Sequence, residues 1–515
     1  MRSTQTDVLI VGAGAAGTML SLELARYGVA ARTIDRLPGP AVTSKAITVH
    51  ARTLEILERI DPALASRFVD RGIHNKGYVL HFVDSEGKRN VVRPGLDFTS
   101  VASAYPYLLV HRQSESEQFL REYTHECYGR APEWGVECIG ISHAEDGVTA
   151  SLRHSNGTEE QVHCRYLIAC DGMNSRIRDA LALDQSEQQY TGTVMQNMDV
   201  FLEGFPDVED FVHYCAGTDH FIMIVKLPGG FFRLLLSDRG EAADPTIRPE
   251  RAFANLVDKH FDGVSLGEIV WHSKWDSKVR LAKTYRDRNV FLAGDSAHVH
   301  STTGGQGMNC CMQDAFNLGW KLAFVLRGTA PEKLLDTYQT ERRPIAEQVI
   351  WAASSLHDIF MAHGRDIGER AQQLNDAGFH DAVVGRCSGI DYTYRESASQ
   401  IDTGLPGPIN GDRLIDCELG DGRRLAALAA TPGFSIVVVG DDAATLGEQL
   451  ADYPRRFGAA VSVHTARASA AFTDTYGAHA QGQLLAVRPD GYIGFRCDGA
   501  SVASLEAYLT GQLRA

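Results

Sequence analysis

The chain has 515 residues, a length that exceeds a single hydrophobic core and predicts about two to four domains. Hydrophobic residues make up 44% of it and charged residues 22%, which excludes a disordered or fibrous chain. The formal net charge of −15 argues against nucleic acid or an anionic membrane as the main partner, because either would require a basic surface.

Cysteine usage and the start of the chain indicate a cellular compartment. The ten cysteines include no CxxC pair, so a disulfide framework is not expected. The first apolar run is too short for a secretory segment or a membrane span. We therefore expect a cytoplasmic protein with reduced thiols.

The first predicted unit is a strand, a glycine-rich turn and a helix. A β-branched run at 7–11 predicts a buried parallel strand, the turn GAGAAG follows at 12–17, and apolar residues then recur at helical spacing. A second strand predicted over 30–34 ends in an acid. In this context the glycines admit a pyrophosphate and the acid binds a ribose, although FAD and NAD remain alternatives. The implied dinucleotide-binding residues are Gly12, Gly14, Ala16, Gly17, Asp35 and Arg36.

The middle of the chain predicts a β-sheet. Apolar runs lie at 78–83, 221–227 and 231–236, and the last two flank the turn Pro228-Gly229-Gly230. Apolar runs joined by such a turn are typical of β-hairpins. We expect this sheet to lie on the substrate side of the cofactor.

A third polar segment follows a strand predicted over 290–293. It begins Gly294-Asp295, continues through a loop rich in serine, threonine and glycine, and enters a helix that Gly328 should end. Asp295 at a strand end is placed to bind a ribityl hydroxyl. Glycines before a helix offer N–H donors and the positive end of its dipole, which suits the N1–C2=O region of a reduced flavin.

The residues from Gly294 read GDSAHVHSTTGGQGMNCCMQDAFNLGWKL. They resemble the GD motif, GDAAHxxxPxGGQGxNxGxxDAxNLxWKL, of the group A flavoprotein aromatic hydroxylases, typified by 4-hydroxybenzoate hydroxylase and phenol hydroxylase. Residues 170–178, which follow a strand predicted over 166–169, resemble the DG motif of that family, which is associated with FAD and the nicotinamide donor. The resemblance extends over roughly residues 5–395 and favours FAD.

The resemblance implies further cofactor contacts. Gln113 begins the QxxxExxL helix, whose glutamine contacts the flavin chain in the family, and Lys45 stands where the family usually has an arginine. A solvated surface charge is the alternative for Lys45 and for Arg52. The added FAD-binding residues are Lys45, Arg112, Gln113, Asp171, Asp295, Gln306, Gly307, Met308 and Asn309.

The implied fold is α/β, with a Rossmann-like FAD-binding domain interleaved with a β-sheet substrate-binding domain. The FAD-binding domain would comprise residues 1–75, 105–185 and 278–395, and the substrate domain residues 76–104 and 186–277. A helical stretch at 331–361, interrupted at Pro344, should pack on the FAD-binding domain.

A turn-rich stretch at 385–415 predicts the last domain boundary. Strands at 434–439, 484–487 and 492–496 alternate with helices in the segment that follows. This segment, residues 400–515, resembles the thioredoxin-like C-terminal domain of the phenol hydroxylase branch. Without CxxC we assign it no redox chemistry, and we expect it to make packing contacts or the contacts of a homodimer.

The resemblance implies hydroxylation of a phenolic or polyketide-like substrate by O₂ through a C4a-hydroperoxyflavin, with NADPH or NADH as a transient electron donor. The protein must exclude water, orient the ring and help to ionise the phenol. One complete dinucleotide fingerprint is present, which counts against disulfide reductase relatives. No metal is expected, and no arginine position distinguishes NADPH from NADH.

The chain departs from the family pattern at three positions. Thr302 replaces the proline before GGQG, Cys311 beside Cys310 replaces a small residue, and Ile47 replaces an acid that phenol hydroxylase uses. We assign Thr302 and Met223 to the substrate pocket. Because a histidine within reach of a phenol is a credible base, the candidates for the missing group are His213, Tyr214, Arg233 and His50.

Two other functions remain open. Baeyer–Villiger oxidation, epoxidation or dehydrogenation could occur on the same scaffold, and the changes at 47 and 302 favour that alternative slightly. A non-catalytic flavoprotein is the third hypothesis, and the intact GD and DG segments disfavour it.

Overall fold

Strands and helices alternate along most of the chain, whose computed structural model describes residues 2–43, 45–206, 211–238, 246–361, 367–401, 404–479, 482–499 and 501–514. The strands are β1 (Arg2–Val11), β2 (Ala31–Asp35), β3 (Thr48–Val49), β4 (Ile73–Asn75), β5 (Gly77–Val83), β6 (Arg89–Asp97), β7 (Leu108–Val110), β8 (Glu133–Trp134), β9 (Val136–Ala144), β10 (Gly147–His154), β11 (Glu159–Ala169), β12 (Gln185–Glu203), β13 (Phe211–Ala216), β14 (His220–Lys226), β15 (Phe232–Asp238), β16 (Ser265–Ala282), β17 (Arg286–Asp287), β18 (Val290–Leu292), β19 (His298–Val299), β20 (Phe434–Val439), β21 (Val461–Ala466), β22 (Gln483–Val487) and β23 (Ile493–Asp498). The α-helices are α1 (Ala15–Arg26), α2 (Ala51–Ile60), α3 (Pro62–Val69), α4 (Gln113–Tyr128), α5 (Arg176–Ala180), α6 (Pro249–His260), α7 (Gly307–Leu326), α8 (Asp336–Met361), α9 (Ile367–Asn375), α10 (Ala377–Ser388), α11 (Leu425–Leu428), α12 (Ala443–Gln449), α13 (Tyr453–Arg456), α14 (Ala470–Tyr476) and α15 (Val502–Gln512). Within these described ranges, no helix has both the length and the apolar character needed to cross a membrane.

The first sheet is built around β1, which pairs in parallel with β2 on one side and with β11 on the other. β18 extends the parallel arrangement beyond β11, and β10 and β9 add an antiparallel hairpin to β11. Where β1 and β11 pair near their carboxyl ends, residues 8–11 and 166–169 are buried and apolar, as expected of a parallel strand covered on both faces. Helix α1, which follows β1, packs against α4 and α7. The predicted strands at 7–11, 30–34, 166–169 and 290–293 and the α/β fold class are confirmed.

The second sheet has the order β19-β16-β12-β15-β14-β13-β5-β6. The predicted hairpin is confirmed, since β14 and β15 pair antiparallel around Gly229 and Gly230, which both have positive φ. One face of the sheet packs on α6 through Phe253 and Leu256. The opposite face packs on α8 and α10 and carries most of the aromatic side chains discussed below.

The sheets draw their strands from separated parts of the chain. The second sheet combines strands from 77–97 with strands from 185–299, whereas the first sheet takes its strands from 2–35, 133–169 and 286–292. A small sheet of β3, β7 and β4 lies outside both. The domain boundaries given above remain a prediction.

The C-terminal segment forms a four-stranded sheet of order β21-β20-β22-β23. β20 and β21 are parallel, whereas β22 pairs antiparallel with β20 and β23. β20, β22 and β23 were predicted from the sequence, whereas β21 was not. The assignment of this segment as thioredoxin-like remains a prediction.

The predicted interruption of the long helix at Pro344 is wrong, because α8 is continuous from Asp336 to Met361. Proline lacks an N–H donor and its ring clashes with the preceding turn, which costs about 3 kcal/mol in a helix interior. The turns around it are buried, with Arg342, Ile345 and Ala346 at most 1% exposed. Packing on both sides of the proline therefore maintains the helix.

We expect Pro344→Ala to raise the midpoint of thermal unfolding. Alanine restores the hydrogen bond to the Thr340 carbonyl and removes the clash, worth up to about 3 kcal/mol, less about 1 kcal/mol of unfolded-chain entropy that proline removes. Pro249→Ala is the control, since Pro249 lies in the first turn of α6, where proline is favourable. If Pro344→Ala does not raise the midpoint above that of the parent, the helix accommodates the proline without cost.

Candidate active site

Three loops meet at the carboxyl edge of the first sheet, after β1, β11 and β18. Gly12 follows β1 with φ +106°, and a β-carbon there would lie 2.2 Å from the carbonyl oxygen of Cys170 after β11. Gly294 follows β18, and a β-carbon there would lie 3.1 Å from Ala16 of α1 and 2.9 Å from the sulfur of Cys311 on α7. The loops are thus in direct contact, and the close approach requires glycine at both positions.

The other glycines of the first turn serve two different needs. A β-carbon at Gly17 would lie 1.9 Å from the Gly12 carbonyl oxygen, so packing of the protein itself requires this glycine. At Gly14 the nearest atom would be 3.8 Å away, on Glu117, and φ is −75°, so the protein itself leaves room for a side chain. Gly14 therefore keeps open the space before the N–H groups of α1, where a pyrophosphate would bind. This open cradle fits the predicted FAD.

Asp35 closes the turn from the end of β2. One carboxylate oxygen accepts the Ala13 N–H at 2.8 Å and the other accepts the Leu37 N–H at 2.9 Å. A carboxylate has about four lone-pair sites, so Asp35 can still accept from ribose hydroxyls. Arg36, the next residue, is exposed beside it.

The start of α4 is fixed to the loop before β3. Oε1 of Gln113 accepts the Ala46 N–H at 3.2 Å, and its amide donates to Glu117 at 2.9 Å. Burial raises the pKa of Glu117, although the hydrogen bond from Gln113 opposes the shift. Gln113 and Glu117 thus form a polar pair beside the open face of Gly14.

The two predicted cationic contacts are placed differently. Arg112 donates to Glu115 at 2.6 Å and lies over the ring of Phe231 at 5.6 Å. The Lys45 side chain is exposed, whereas the backbone carbonyl oxygen of Lys45 accepts a hydrogen bond from Arg233 at 3.1 Å. Lys45 therefore has the freedom to reach a ligand, whereas Arg112 is already paired.

The amino end of α7 faces the same edge of the sheet. The Cys310 N–H donates to the Gln306 carbonyl at 2.9 Å. The N–H groups of Gly307, Met308 and Asn309 precede this bond and have no acceptor within the helix. With the positive end of the helix dipole, they offer an anion-binding surface.

The side chains at this helix end are used inside the protein. The Gln306 side chain accepts from the Tyr392 hydroxyl at 2.8 Å. The Asn309 amide accepts the His50 N–H at 2.8 Å and donates to the Thr48 carbonyl at 2.9 Å. The backbone of these residues, rather than their side chains, is available to the cofactor.

Ser296 joins the DG and GD segments. Its hydroxyl donates to Asp171 at 3.0 Å and accepts the Gly172 N–H at 3.1 Å. The other oxygen of Asp171 accepts the Ile177 N–H at 3.3 Å, at the start of α5. Asp171 thus holds two loops together. Asp295, by contrast, is exposed and accessible to a cofactor hydroxyl.

A buried polar group lies behind the GD turn. Ligand atoms of His298, Cys310 and Asp314 fall within 4.8 Å of one another. Arg342 donates to Asp314 at 2.7 Å and to the Cys310 sulfur at 3.6 Å. Burial by itself lowers the pKa of His298. Cys310 and Asp314 raise it by more, so that the pKa of His298 lies well above its ordinary value. The positive charges of Arg342 and His298 already offset the negative charge of Asp314, which disfavours a metal ion at this site.

The four candidate bases do not come together. His213 lies on the α6 face of the second sheet, with Nδ1 2.9 Å from Nε2 of His81 and its ring packed near Phe261. Its neighbours Val212 and Tyr214 face the other way, because side chains alternate along β13. His213 is therefore separated from the loops by the sheet, which does not favour the catalytic role predicted for it.

His50 and Arg233 are held by other groups. The His50 ring lies between the Cys387 carbonyl and the Thr48 hydroxyl, and burial lowers its pKa to about 4. Arg233 makes a two-pronged ion pair with Asp199. His50 is thus neutral at physiological pH, and Arg233 is occupied.

Tyr214 faces α8 and the glycine-rich loop. Its ring stacks on Tyr78 at 4.5 Å and meets the edge of Phe360 at 4.8 Å. Burial raises its pKa, although hydrogen bonds with the Gly304 backbone and the Tyr78 hydroxyl oppose the shift. Met223 is its cross-strand partner on β14. Tyr214 therefore joins an aromatic wall to the loop.

The side chain of Thr302 is exposed, and its carbonyl oxygen accepts the Gly305 N–H at 3.1 Å in a tight turn. The same loop contains His300, which the sequence analysis missed. Nδ1 of His300 donates to the Ser301 carbonyl at 2.8 Å, and burial lowers its pKa to about 4. Its buried Nε2 has no partner among the described residues, and a β-carbon at Gly307 would lie 3.7 Å from it. His300 occupies a variable position of the GD motif, so the pattern carries no signal for it.

Comparison with known protein families identifies two segments of the chain. A family profile described as "FAD binding domain" matches residues 5–353, and one described as "Aromatic-ring hydroxylase, C-terminal" matches residues 407–514. The first match confirms the predicted FAD cofactor.

Characterised relatives and a solved structure are similar over most of their length. The chain is 40% identical to pentachlorophenol 4-monooxygenase of Sphingobium chlorophenolicum, over 82% of this chain and 78% of that protein. It is 32% identical to 6-methylpretetramide 4-monooxygenase of Streptomyces rimosus, over 98% and 93%. The structure of the anhydrotetracycline hydroxylase OxyS from Streptomyces rimosus matches with a TM-score of 0.79 and 29% identity, over 99% and 100%.

We expect Gly14→Ala to weaken FAD binding while the apoprotein keeps its thermal unfolding midpoint within a few degrees. The added methyl group meets only the cofactor, and overpacking costs about 1–3 kcal/mol, or about fivefold to hundredfold in the dissociation constant. Gly39→Ala is the control, because a β-carbon there meets no atom within 4 Å. Quenching of flavin fluorescence measures the affinity. Equal affinity of both variants would place the pyrophosphate elsewhere.

The buried histidines predict a loss of stability in mild acid. The folded pKa values of His50 and His300 lie at about 4, below the ordinary value of 6.5. The unfolded chain therefore binds more protons between pH 6.5 and 4, and stability falls as the pH is lowered through that window, by up to about 1.4 kcal/mol per pH unit for each group. We expect His300→Gln to flatten the fall in unfolding midpoint between pH 6.5 and 5. An unchanged slope would mean that His300 titrates normally in the folded state.

Proposed function

The chain belongs to the FAD-dependent aromatic-ring hydroxylases and is a flavoprotein monooxygenase, and from that premise we propose that it hydroxylates a phenolic or polyketide-like aromatic ring. NADH or NADPH would supply the electrons and O₂ the oxygen atom. Bound FAD supplies the redox chemistry. The residues of the chain bind the ring, orient it and exclude water.

The position of Tyr214 is the observation that carries this proposal. Tyr214 is the one catalytic candidate that lies both on the aromatic wall and against the glycine-rich loop, through the Gly304 backbone. Its cross-strand partner Met223 and the rings of Phe221 and Phe360 make the surrounding surface apolar. An apolar wall that carries the adjacent hydroxyls of Tyr214 and Tyr78 suits an aromatic ring with its own hydroxyl.

Burial raises the pKa of Tyr214, which favours a role as a hydrogen-bond donor over a role as a base. A tyrosine with such a pKa remains protonated at neutral pH and cannot remove a proton from a phenol. Its hydroxyl can donate a hydrogen bond to the oxygen of the substrate, and a phenolate accepts such a hydrogen bond more strongly than a neutral phenol does. Tyr214 would thus orient the ring and favour its ionised form, while the proton leaves by another route.

The substrate class is supported by two kinds of relative. Their names refer to pentachlorophenol, a single ring, and to 6-methylpretetramide and anhydrotetracycline. The exposed Thr302 replaces the family's proline at the loop, which leaves the edge of the substrate site different from the family pattern.

The test is a panel of simple phenols, chlorinated phenols and polycyclic phenols, offered to the purified holoprotein with NADPH or NADH. We expect a subset to stimulate oxidation of the nicotinamide and to yield a product with one added oxygen. Mass spectrometry and NMR should show a new hydroxyl on an intact ring. A lactone, an epoxide or a loss of two hydrogens would establish the alternative oxidations instead.

We expect Tyr214→Phe to lower kcat for hydroxylation about tenfold, the value of one hydrogen bond, and to raise the hydrogen peroxide formed per nicotinamide oxidised. Phenylalanine keeps the stacking on Tyr78 and loses only the hydroxyl. Tyr78→Phe is the matched control, because it preserves the contact between Tyr214 and Gly304 and should have a smaller effect. Unchanged coupling in Tyr214→Phe would exclude the hydroxyl from the reaction.

A further inference from the structure

The turn between β22 and β23, residues 488–491, is held by helices of the FAD-binding region. Arg52 and Arg59 lie on α2 and donate hydrogen bonds to the backbone of this turn. Arg52 donates to the Asp490 carbonyl at 2.6 Å, and Arg59 donates to the Pro489 carbonyl at 2.6 Å. Arg52 is therefore neither the surface charge nor the cofactor ligand that the sequence left open. It is a contact of the C-terminal domain.

The side chains of this turn extend into a buried polar network. Arg488 donates to both oxygens of Glu341 on α8, at 2.6 and 2.8 Å, and to Asp490 at 2.6 Å. Lys321 of α7 donates to Glu341 at 2.6 Å, and Asn317 donates to Glu341 at 2.8 Å. One turn of the C-terminal domain thus joins α7 to α8.

The network continues to the GD turn. Asn317 and Arg342 both donate to the Tyr394 hydroxyl, at 3.3 and 3.2 Å. Arg342 then donates to Asp314 at 2.7 Å, and Asp314 accepts the Gly294 N–H at 3.2 Å. Gly294 directly precedes Asp295, the exposed carboxylate assigned to the cofactor. An unbroken series of contacts therefore links the C-terminal domain to the flavin loop.

The charged groups of the network are paired, and all are buried. Three cations face three carboxylates, and none of the six is more than 8% exposed: Lys321, Arg342 and Arg488 with Asp314, Glu341 and Asp490. His298, which is 2% exposed, adds a fourth cationic partner, 2.7 Å from Asp314. An uncompensated buried charge costs several kcal/mol, so displacement of one member strains the others. The network therefore has few low-energy arrangements and can transmit a constraint over its length.

We propose that the 488–491 turn of the C-terminal domain positions the GD turn for FAD, with Arg488 as a positioning residue that acts through Glu341, Arg342 and Asp314. FAD binding and docking of the C-terminal domain are then coupled. Because such coupling is reciprocal, FAD must stabilise the docked turn as much as the turn favours FAD.

Hydrogen exchange on the unmodified protein tests the reciprocal effect. In the apoprotein and after addition of FAD, exchange is followed in peptides that cover 488–491 and, as an internal reference, β21. We expect FAD to slow exchange of the turn, including the Gly491 N–H that donates to the Arg488 carbonyl at 2.9 Å, more than it slows exchange of β21. Equal slowing in both segments, or none in the turn, would overturn the proposal.

Variants test the forward effect. Arg488→Met combined with Glu341→Gln removes one cation and one anion, so the net charge of the network does not change. We expect the dissociation constant for FAD to rise about threefold to thirtyfold, and Arg488→Lys, which keeps the charge, to retain part of the affinity. Arg456→Met is the matched control, since it removes a half-exposed arginine–glutamate pair within the C-terminal domain.

Circular dichroism and the unfolding midpoint of each apoprotein establish that the variants are folded at the temperature of the titration. A lower midpoint for the double variant with an unchanged dissociation constant would show a purely structural contact and overturn the proposal. An equal loss of affinity in Arg456→Met would overturn it as well. Should the double variant fail to fold, the hydrogen-exchange comparison decides alone.

Discussion

The contact between Gly12 and the Cys170 carbonyl is the constraint on which the site depends. It exists because β1, β11 and β18 are parallel and in register, so that Val11, Ala169 and Leu292 end side by side. Loops from three distant parts of the chain then leave the sheet at one edge, where their backbones touch. Any residue larger than glycine at position 12 would separate the first two loops.

This crowding determines how the site can bind a cofactor. Polar side chains at the edge mostly bind the neighbouring loops, as the hydrogen bonds of Asp171 and Asn309 show. The surface that we expect FAD to use consists mainly of glycine backbone and the first N–H groups of two helices, with the side chains of Asp35, Lys45 and the exposed Asp295 around them. Recognition through backbone donors suits a diphosphate and an anionic flavin edge, since those donors are fixed by the helices and stay uncharged. The side chains set the shape of the site, and the backbone makes it a binding site.

Features that depend on residues close together in the sequence could be predicted, whereas features that depend on distant residues could not. The glycine turn, the GD segment and the hairpin at 221–236 depend on residues within a few tens of positions, and all were predicted. The choice between His213 and Tyr214 depends on which face of β13 meets the flavin loop. Adjacent residues on a strand face opposite sides, and the composition of this short strand does not identify the side. The partner of Arg52 lies 438 residues away, so no local pattern could reveal it.

The polar character of the C-terminal contact has its own physical consequence. An apolar surface can slide by an ångström at little cost, because burial is not directional. A contact made by Arg488, Glu341 and Asp490 cannot, because each displaced charge would lose its partner inside the protein. Such a contact contributes less net stability than an apolar one of equal area, but it specifies one geometry. The loops of the active site depend on backbone positions fixed to a fraction of an ångström. A rigid, charge-paired support behind α7 supplies that precision, and an apolar support would not.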